Sequence, residues 1–296
     1  MSEQRFGRLV TAMVTPFDAN LELDFDRAGD FVERLVEGGT DSIVVCGTTG
    51  EGPTVSASQK TSLIETVVEA AAGRIPIIAN VGDNCTANTI AFASQVAKLG
   101  VDGFMCVVPF YNKPPQEGLY QHFSAIARST DLPIVLYNIP GRCGVNMTAE
   151  TTLRLACDVE NIVAVKEASG KLDQIKAIVD GAPEGFAVYS GDDAITYDIM
   201  KLGGTGVIST ISNVATARMK QIVAACAAGQ WDEAAQLNEQ LMPLMKGLFN
   251  TTNPILVKEA LRLSGFDVGG VRLPLVRATF EQSAQLEQTM RQVGVL

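Results

Sequence analysis

One histidine and one tryptophan stand in 296 residues, and the six cysteines (Cys46, Cys85, Cys106, Cys143, Cys157, Cys226) never form a CxxC pair. A zinc centre needs several nitrogen or thiolate ligands, so the supply argues against a metal site. No run of about 18 apolar residues occurs, so no membrane span is expected. The polar start MSEQRFGR does not read as a secretory signal. Positive charge is in deficit, with 23 Lys and Arg against 33 Asp and Glu and a net charge of -10. That balance leaves no basic patch for nucleic acid, and an anionic substrate would need a local positive site. No GxGxxG opens the first strand-to-helix turn. A reduced, soluble, cytoplasmic protein is the expectation.

What is present is a 47% hydrophobic fraction, enough for a substantial core. Apolar β-type runs recur along the chain, each followed by a helical pattern. The strand candidates are LVTAMVT from Leu9, SIVVCG from Ser42, PIIANV from Pro76, GFMCVV from Gly103, PIVLYN from Pro133, IVAVK from Ile162, FAVYS from Phe186 and GVIS from Gly206. Cys46 and Cys106 fall inside such runs and read as small core residues. Eight alternations without a central hairpin predict an α/β fold, a (β/α)8 barrel; a doubly wound sheet is the alternative. After about residue 212 the pattern turns helical, through ATARMKQIVAAC, DEAAQLNEQLMPLMKGLF, PILVKEALRLSG and PLVRATFEQSAQLEQTMRQVGVL. Pro254 and Pro274 suit helix first turns, and Thr148 suits an N-cap. The expected division is a catalytic barrel over 1–228 and a helical domain over 229–296. No flexible linker precedes that domain, so it should pack on the barrel.

Chemistry in a barrel gathers at the carboxyl ends of the strands. Lys166 closes the buried run IVAVK and is the first candidate. A free lysine amine has a pKa of about 10.4, and burial lowers it towards a nucleophilic, neutral form. The plainer alternative is a strand-end lysine that reaches to water. Strand two ends in GTTGEGP, whose glycines let two hydroxyls and the backbone face an anion, or form an ordinary turn. Strand four ends in PFYNKPP, with Phe110 and Tyr111 at the rim. Strand five ends in LYNIPGRCG, where Tyr137 follows the apolar run and Arg142 sits in a Gly-flanked loop able to meet a carboxylate. Tyr137 also reads as a core tyrosine with a satisfied hydroxyl. Strand seven ends in SGDD and strand eight in STISN. LGGTGVIS looks like a phosphate cradle but precedes strand eight, so it reads as the helix-to-strand turn. His122 lies in a helical segment and reads as a helix residue rather than a general base.

The set GTTGE, PFYNKP, YNIPGR and VAVKEASG, in this order, resembles the dihydrodipicolinate synthase family of pyruvate-dependent class I aldolases, which also include N-acetylneuraminate lyase. The likeness covers nearly the whole chain, including QEGLYQHF, SGDD and Asn253-Pro254. It implies a (β/α)8 barrel with C-terminal helices, a homotetramer, and no metal or organic cofactor. It implies a pyruvate Schiff base on Lys166 and Thr48 and Thr49 at the pyruvate carboxylate. Tyr137 becomes the central acid/base, with Thr48 and Tyr111 completing a proton relay and Tyr111 reaching a neighbouring subunit's site. Arg142 holds the carboxylate of L-aspartate-β-semialdehyde, and Gly191 and the Ile208 carbonyl line the pocket. The arginine favours condensation to 4-hydroxy-tetrahydrodipicolinate, in lysine and diaminopimelate biosynthesis. The competing readings are a lyase for a 2-keto-3-deoxy sugar acid and a non-catalytic relative.

One departure bears on regulation. Lysine-inhibited members of the family carry a tyrosine at the position of Phe110, a histidine near Lys60 and a glutamate near Asn88; only Asn84 of that set is retained here. Losing a carboxylate and adding a cation weakens the binding of cationic lysine. Weak or absent feedback inhibition is the expected result of a steady-state assay, and half-inhibition by micromolar L-lysine would overturn it.

Overall fold

The computed structural model describes residues 5–296; the first four residues of the polar start lie outside the described residues. Eight strands alternate with helices: β1 (Leu9–Ala12), α1 (Phe25–Glu37), β2 (Ser42–Val45), α2 (Ala57–Ala71), β3 (Ile77–Asn80), α3 (Thr86–Val96), β4 (Gly103–Val107), α4 (Gln116–Ala127), β5 (Ile134–Asn138), α5 (Pro140–Cys143), α6 (Ala149–Asp158), β6 (Ile162–Glu167), α7 (Leu172–Gly181), β7 (Ala187–Ser190), α8 (Thr196–Lys201) and β8 (Gly206–Ser209). The strands pair in sequence order, all parallel, and β8 closes on β1. The doubly wound alternative is thereby excluded. Four helices follow: α9 (Ser212–Ala227), α10 (Trp231–Gly247), α11 (Ile255–Leu263) and α12 (Phe280–Gln292). Among the described residues no helix is long and apolar enough to cross a membrane.

Alternation sorts the strands into an inner and an outer row, except in β6, where the register to β5 shifts between Ile134 and Val135 and the outward residues Ile162 and Val165 stand three apart. Phe104 and Cys106, Ile134 and Leu136, and Ile162 and Val165 face outward into the layer under the helices. Met105, Val135, Tyr137 and Ala164 face inward, and Phe6 packs with this inner set. The outer layer is continuous with the C-terminal helices, since Leu241, Leu244, Leu256 and Val257 belong to the same apolar cluster.

Three local expectations need correction. The last helix does not begin at Pro274; α12 starts at Phe280, capped by Thr279, whose hydroxyl accepts from the Gln282 N–H while Gln282 reaches back. The stretch before it is irregular, and Arg272 at its start is tied to the barrel, donating to the carbonyls of Leu21 (2.8 Å) and Thr54 (3.0 Å) and to Gln59 Oε1 (3.0 Å). Arg142 lies in the four-residue helical turn α5 rather than in an open loop. Cys46 lies just beyond β2, at φ 60°, where the chain turns into the glycine-rich segment. Thr148 caps α6 as read, accepting from the Thr151 N–H. Pro254 immediately precedes α11.

Candidate active site

β5 and β6 set the centre of the site. Tyr137 and Lys166 are register partners on these neighbouring parallel strands. Each follows an inward-facing residue by two positions, Val135 and Ala164, so both project into the barrel near its carboxyl-end mouth. Lys166 Nζ lies 4.4 Å from the centre of the Tyr137 ring, a contact that favours a cation. The next residue, Glu167, faces the other way and is fully buried. Its carboxylate accepts from Asn138 Nδ2 (3.0 Å), Gln174 Nε2 (3.2 Å) and the Ser169 N–H (2.8 Å). That network pins the ends of both strands, and with them the backbone that carries Lys166.

Electrostatics follow from burial. Lys166 is 6% exposed. Burial pushes its amine down to about 8; the Asp193 carboxylate works against that shift, and the Arg142 charge works with it. Tyr137 is 4% exposed. Burial pushes its phenol up to about 12, opposed by the Arg142 charge and by hydrogen bonding with Thr48. Two buried side chains in contact thus pair an amine lowered to within about one unit of neutral pH with a phenol that stays protonated. Gly191, at the end of β7, is required by closeness: a Cβ there would lie 3.2 Å from Lys166 Cε and 2.7 Å from Ala168 Cβ.

The Gly47–Gly52 turn forms the opposite wall. Thr48 opens onto a cavity of about 500 Å³ that is also lined by Tyr137, Ile139, Arg142 and Phe110. Thr49 is buried beneath it, with its hydroxyl 3.3 Å from Thr210 Oγ1 and accepting from Asn253 Nδ2 at 2.9 Å. Ile208 is an inward-facing residue of β8. The structure therefore brings Lys166, Tyr137, Thr48, Arg142 and Gly191 to one end of the barrel, with Thr49 and Ile208 on its walls. Tyr111 is not gathered in. It is 89% exposed, sits at φ 73° on the loop after β4, and does not line the cavity.

Two residues with no assigned role in the sequence reading stand at the site. Asp193 is buried, and its Oδ2 accepts from the backbone N–H groups of Thr210 and Ile211, both at 2.9 Å. An acidic residue directly after a barrel strand was the available signal. Asn253 was visible only as half of an Asn-Pro pair. His122, by contrast, is a buried helix residue with Nδ1 2.9 Å from Thr86 Oγ1, and burial holds its imidazole down at about 4. It takes no part in the cavity.

Residues 5–293 match the dihydrodipicolinate synthetase family. The 4-hydroxy-tetrahydrodipicolinate synthase 1 of Halalkalibacterium halodurans is 53% identical over 281 residues, covering 95% of each chain. The solved dihydrodipicolinate synthase of Cyanidioschyzon merolae, with lysine bound, superposes with a TM-score of 0.97 at 45% identity, over 99% of this chain and 100% of that one. The chloride-inhibited dihydrodipicolinate synthase of Acinetobacter baumannii, complexed with pyruvate, gives 0.96 at 39% identity, over 98% and 100%. Fold, strand-end chemistry and full-length likeness agree, and the chain belongs to the dihydrodipicolinate synthetase family.

Proposed function

We infer that this chain condenses pyruvate with L-aspartate-β-semialdehyde to give 4-hydroxy-tetrahydrodipicolinate through a Schiff base on Lys166. The observation that carries the reading is a buried amine, pushed down to about 8, packed at 4.4 Å on the ring of a protonated tyrosine at the mouth of a barrel. Lys166 Nζ attacks the keto carbon, water leaves, and an iminium forms. The iminium accepts the electron pair released when a methyl proton is lost, giving an enamine. The enamine carbon attacks the aldehyde carbon, whose oxygen takes up a proton. The amino group of the bound adduct then displaces Lys166 and closes the ring. Tyr137 and Thr48 carry protons between these groups, which is how the site works without its only histidine.

Substrate choice rests on Arg142. Arg142 lines the cavity, and a guanidinium can grip the carboxylate of the aldehyde with two parallel hydrogen bonds. A coupled assay with purified protein tests the reading: turnover with L-aspartate-β-semialdehyde should exceed turnover with a neutral sugar aldehyde. Preference for the sugar aldehyde would place the chain among the sugar-acid lyases instead.

The exposed Tyr111 supports an assembly. A relay member that projects from its own subunit can serve only a neighbouring one, so the working form is at least a dimer and is proposed to be a homotetramer. In this reading residues 1–228 form the catalytic barrel and 229–296 the helical domain. Sedimentation at assay concentration reads the assembly, and a fully active monomer would refute it. The protein is expected in the cytoplasmic fraction, which fractionation checks.

A further inference from the structure

The C-terminal segment touches the Gly47–Gly52 turn at two buried points. Lys258 of α11 pairs with Glu51 at 2.6 Å, with side chains 2% and 1% exposed. Lys258 Nζ also donates to the Gly270 carbonyl at 2.7 Å, and the Arg272 N–H donates to Glu51 Oε2 at 2.9 Å. Both side chains are buried, so the pair ties α11 to the turn through Glu51. The second contact is the bond from Asn253 Nδ2 to Thr49 Oγ1, at 2.9 Å. This one constrains a proton.

An amide nitrogen can only donate. Asn253 turns Nδ2 to Thr49 and leaves its Oδ1 buried without a partner, and a hydroxyl that accepts from that nitrogen must send its own proton elsewhere. Thr210 Oγ1 lies 3.3 Å away, a long contact. A carboxylate takes shorter bonds from hydroxyls, about twice as strong as neutral ones, and outcompetes it. We propose that Asn253 is a positioning and specificity-determining residue: its donation to Thr49 Oγ1 commits the Thr49 proton to an anionic keto-acid carboxylate. The proposal rests on the reading of Thr49 as a carboxylate contact. The geometry is directional: an acceptor at position 253 would draw the same proton away and add a negative charge next to the carboxylate.

The test is a steady-state comparison of the native chain, Asn253→Asp, Asn253→Ala, Thr49→Val and the double variant Thr49→Val/Asn253→Asp, with thermal melts of each. Asn253→Asp keeps the shape but reverses the hydrogen bond. It should raise the pyruvate KM about tenfold or more, the usual scale for a hydrogen bond to a charged group, and leave the aldehyde KM within about twofold. Asn253→Ala should raise it less. The effect of Asn253→Asp should shrink in the Thr49→Val background to what the added charge alone costs, because the part carried by the Thr49 proton is not additive. Lowering the pH should bring the pyruvate KM of Asn253→Asp back towards the native value, since a protonated carboxyl donates again. A packing role moves none of these readouts: it predicts the larger effect for Asn253→Ala, additivity, and no pH recovery. Any of those results overturns the proposal while leaving the Thr49 reading intact. An unchanged pyruvate KM in Thr49→Val overturns both. Should Asn253→Asp fail to fold, the cycle between Asn253→Ala and Thr49→Val decides, and a coupling below about twofold overturns the proposal.

Discussion

Lys166→Arg is expected to lose at least about 10³-fold in turnover, and borohydride reduction in the presence of pyruvate should leave no adduct on it. The guanidinium keeps the charge and much of the length but is never deprotonated, so it has no lone pair to offer a keto carbon. In the native chain the mass of the reduced adduct should map to the peptide containing Lys166. The pH dependence has a definite sign. Only the neutral amine attacks, so the rate of adduct formation rises with pH through the amine's pKa. With that value at about 8, roughly a tenth of the sites are neutral at pH 7, against about one in a few thousand for an ordinary lysine at 10.4. The trapping rate should therefore climb and level off around pH 8 to 9, not near 10. A native adduct on another residue, or full turnover by Lys166→Arg, would dismantle the proposed chemistry.

The barrel was legible because its signal is local. Each strand is a short apolar run, buried on both faces, and the eight runs alone force the alternation; IVAVK needed no partner chain to be recognised as a strand with a lysine at its end. The side chains that depend on distant segments were not legible in the same way. Asp193 binds the amides of Thr210 and Ile211, and Asn253 binds Thr49 across 204 residues of sequence. Nothing near Asn253 announces that contact. The segment before α12 also departs from its sequence pattern. Its apolar spacing runs on from Pro274 as in a helix, yet Arg272 is held by carbonyls of Leu21 and Thr54 more than 200 positions away. The Thr279 and Gln282 capping pair was in the sequence and marks the true start. Tyr111 is a third case. Its local sequence places it on a rim loop, and the structure leaves it facing out, away from the cavity.

Tyr137→Phe should lower kcat by about 10²- to 10⁴-fold, the usual worth of a positioned proton donor, while the Schiff base still forms. Phenylalanine keeps the ring, and with it the surface on which Lys166 Nζ rests at 4.4 Å, so the amine stays buried and its pKa stays low. What goes is one O–H. That hydroxyl is pushed up to about 12, which makes it a poor base by itself but a dependable donor at any working pH. It can give its proton to a developing oxyanion only as fast as a neighbour replaces it, and the Thr48 hydroxyl is placed to do so. The two variants therefore separate along the reaction. Lys166→Arg fails before any covalent bond exists, whereas Tyr137→Phe should be trapped by borohydride in the same amount as the native chain, though more slowly, and then stall. Single-turnover trapping alongside steady-state turnover makes the distinction. If Tyr137→Phe neither traps nor turns over, its hydroxyl is already needed to form the Schiff base; if it turns over at the native rate, the proton path runs elsewhere.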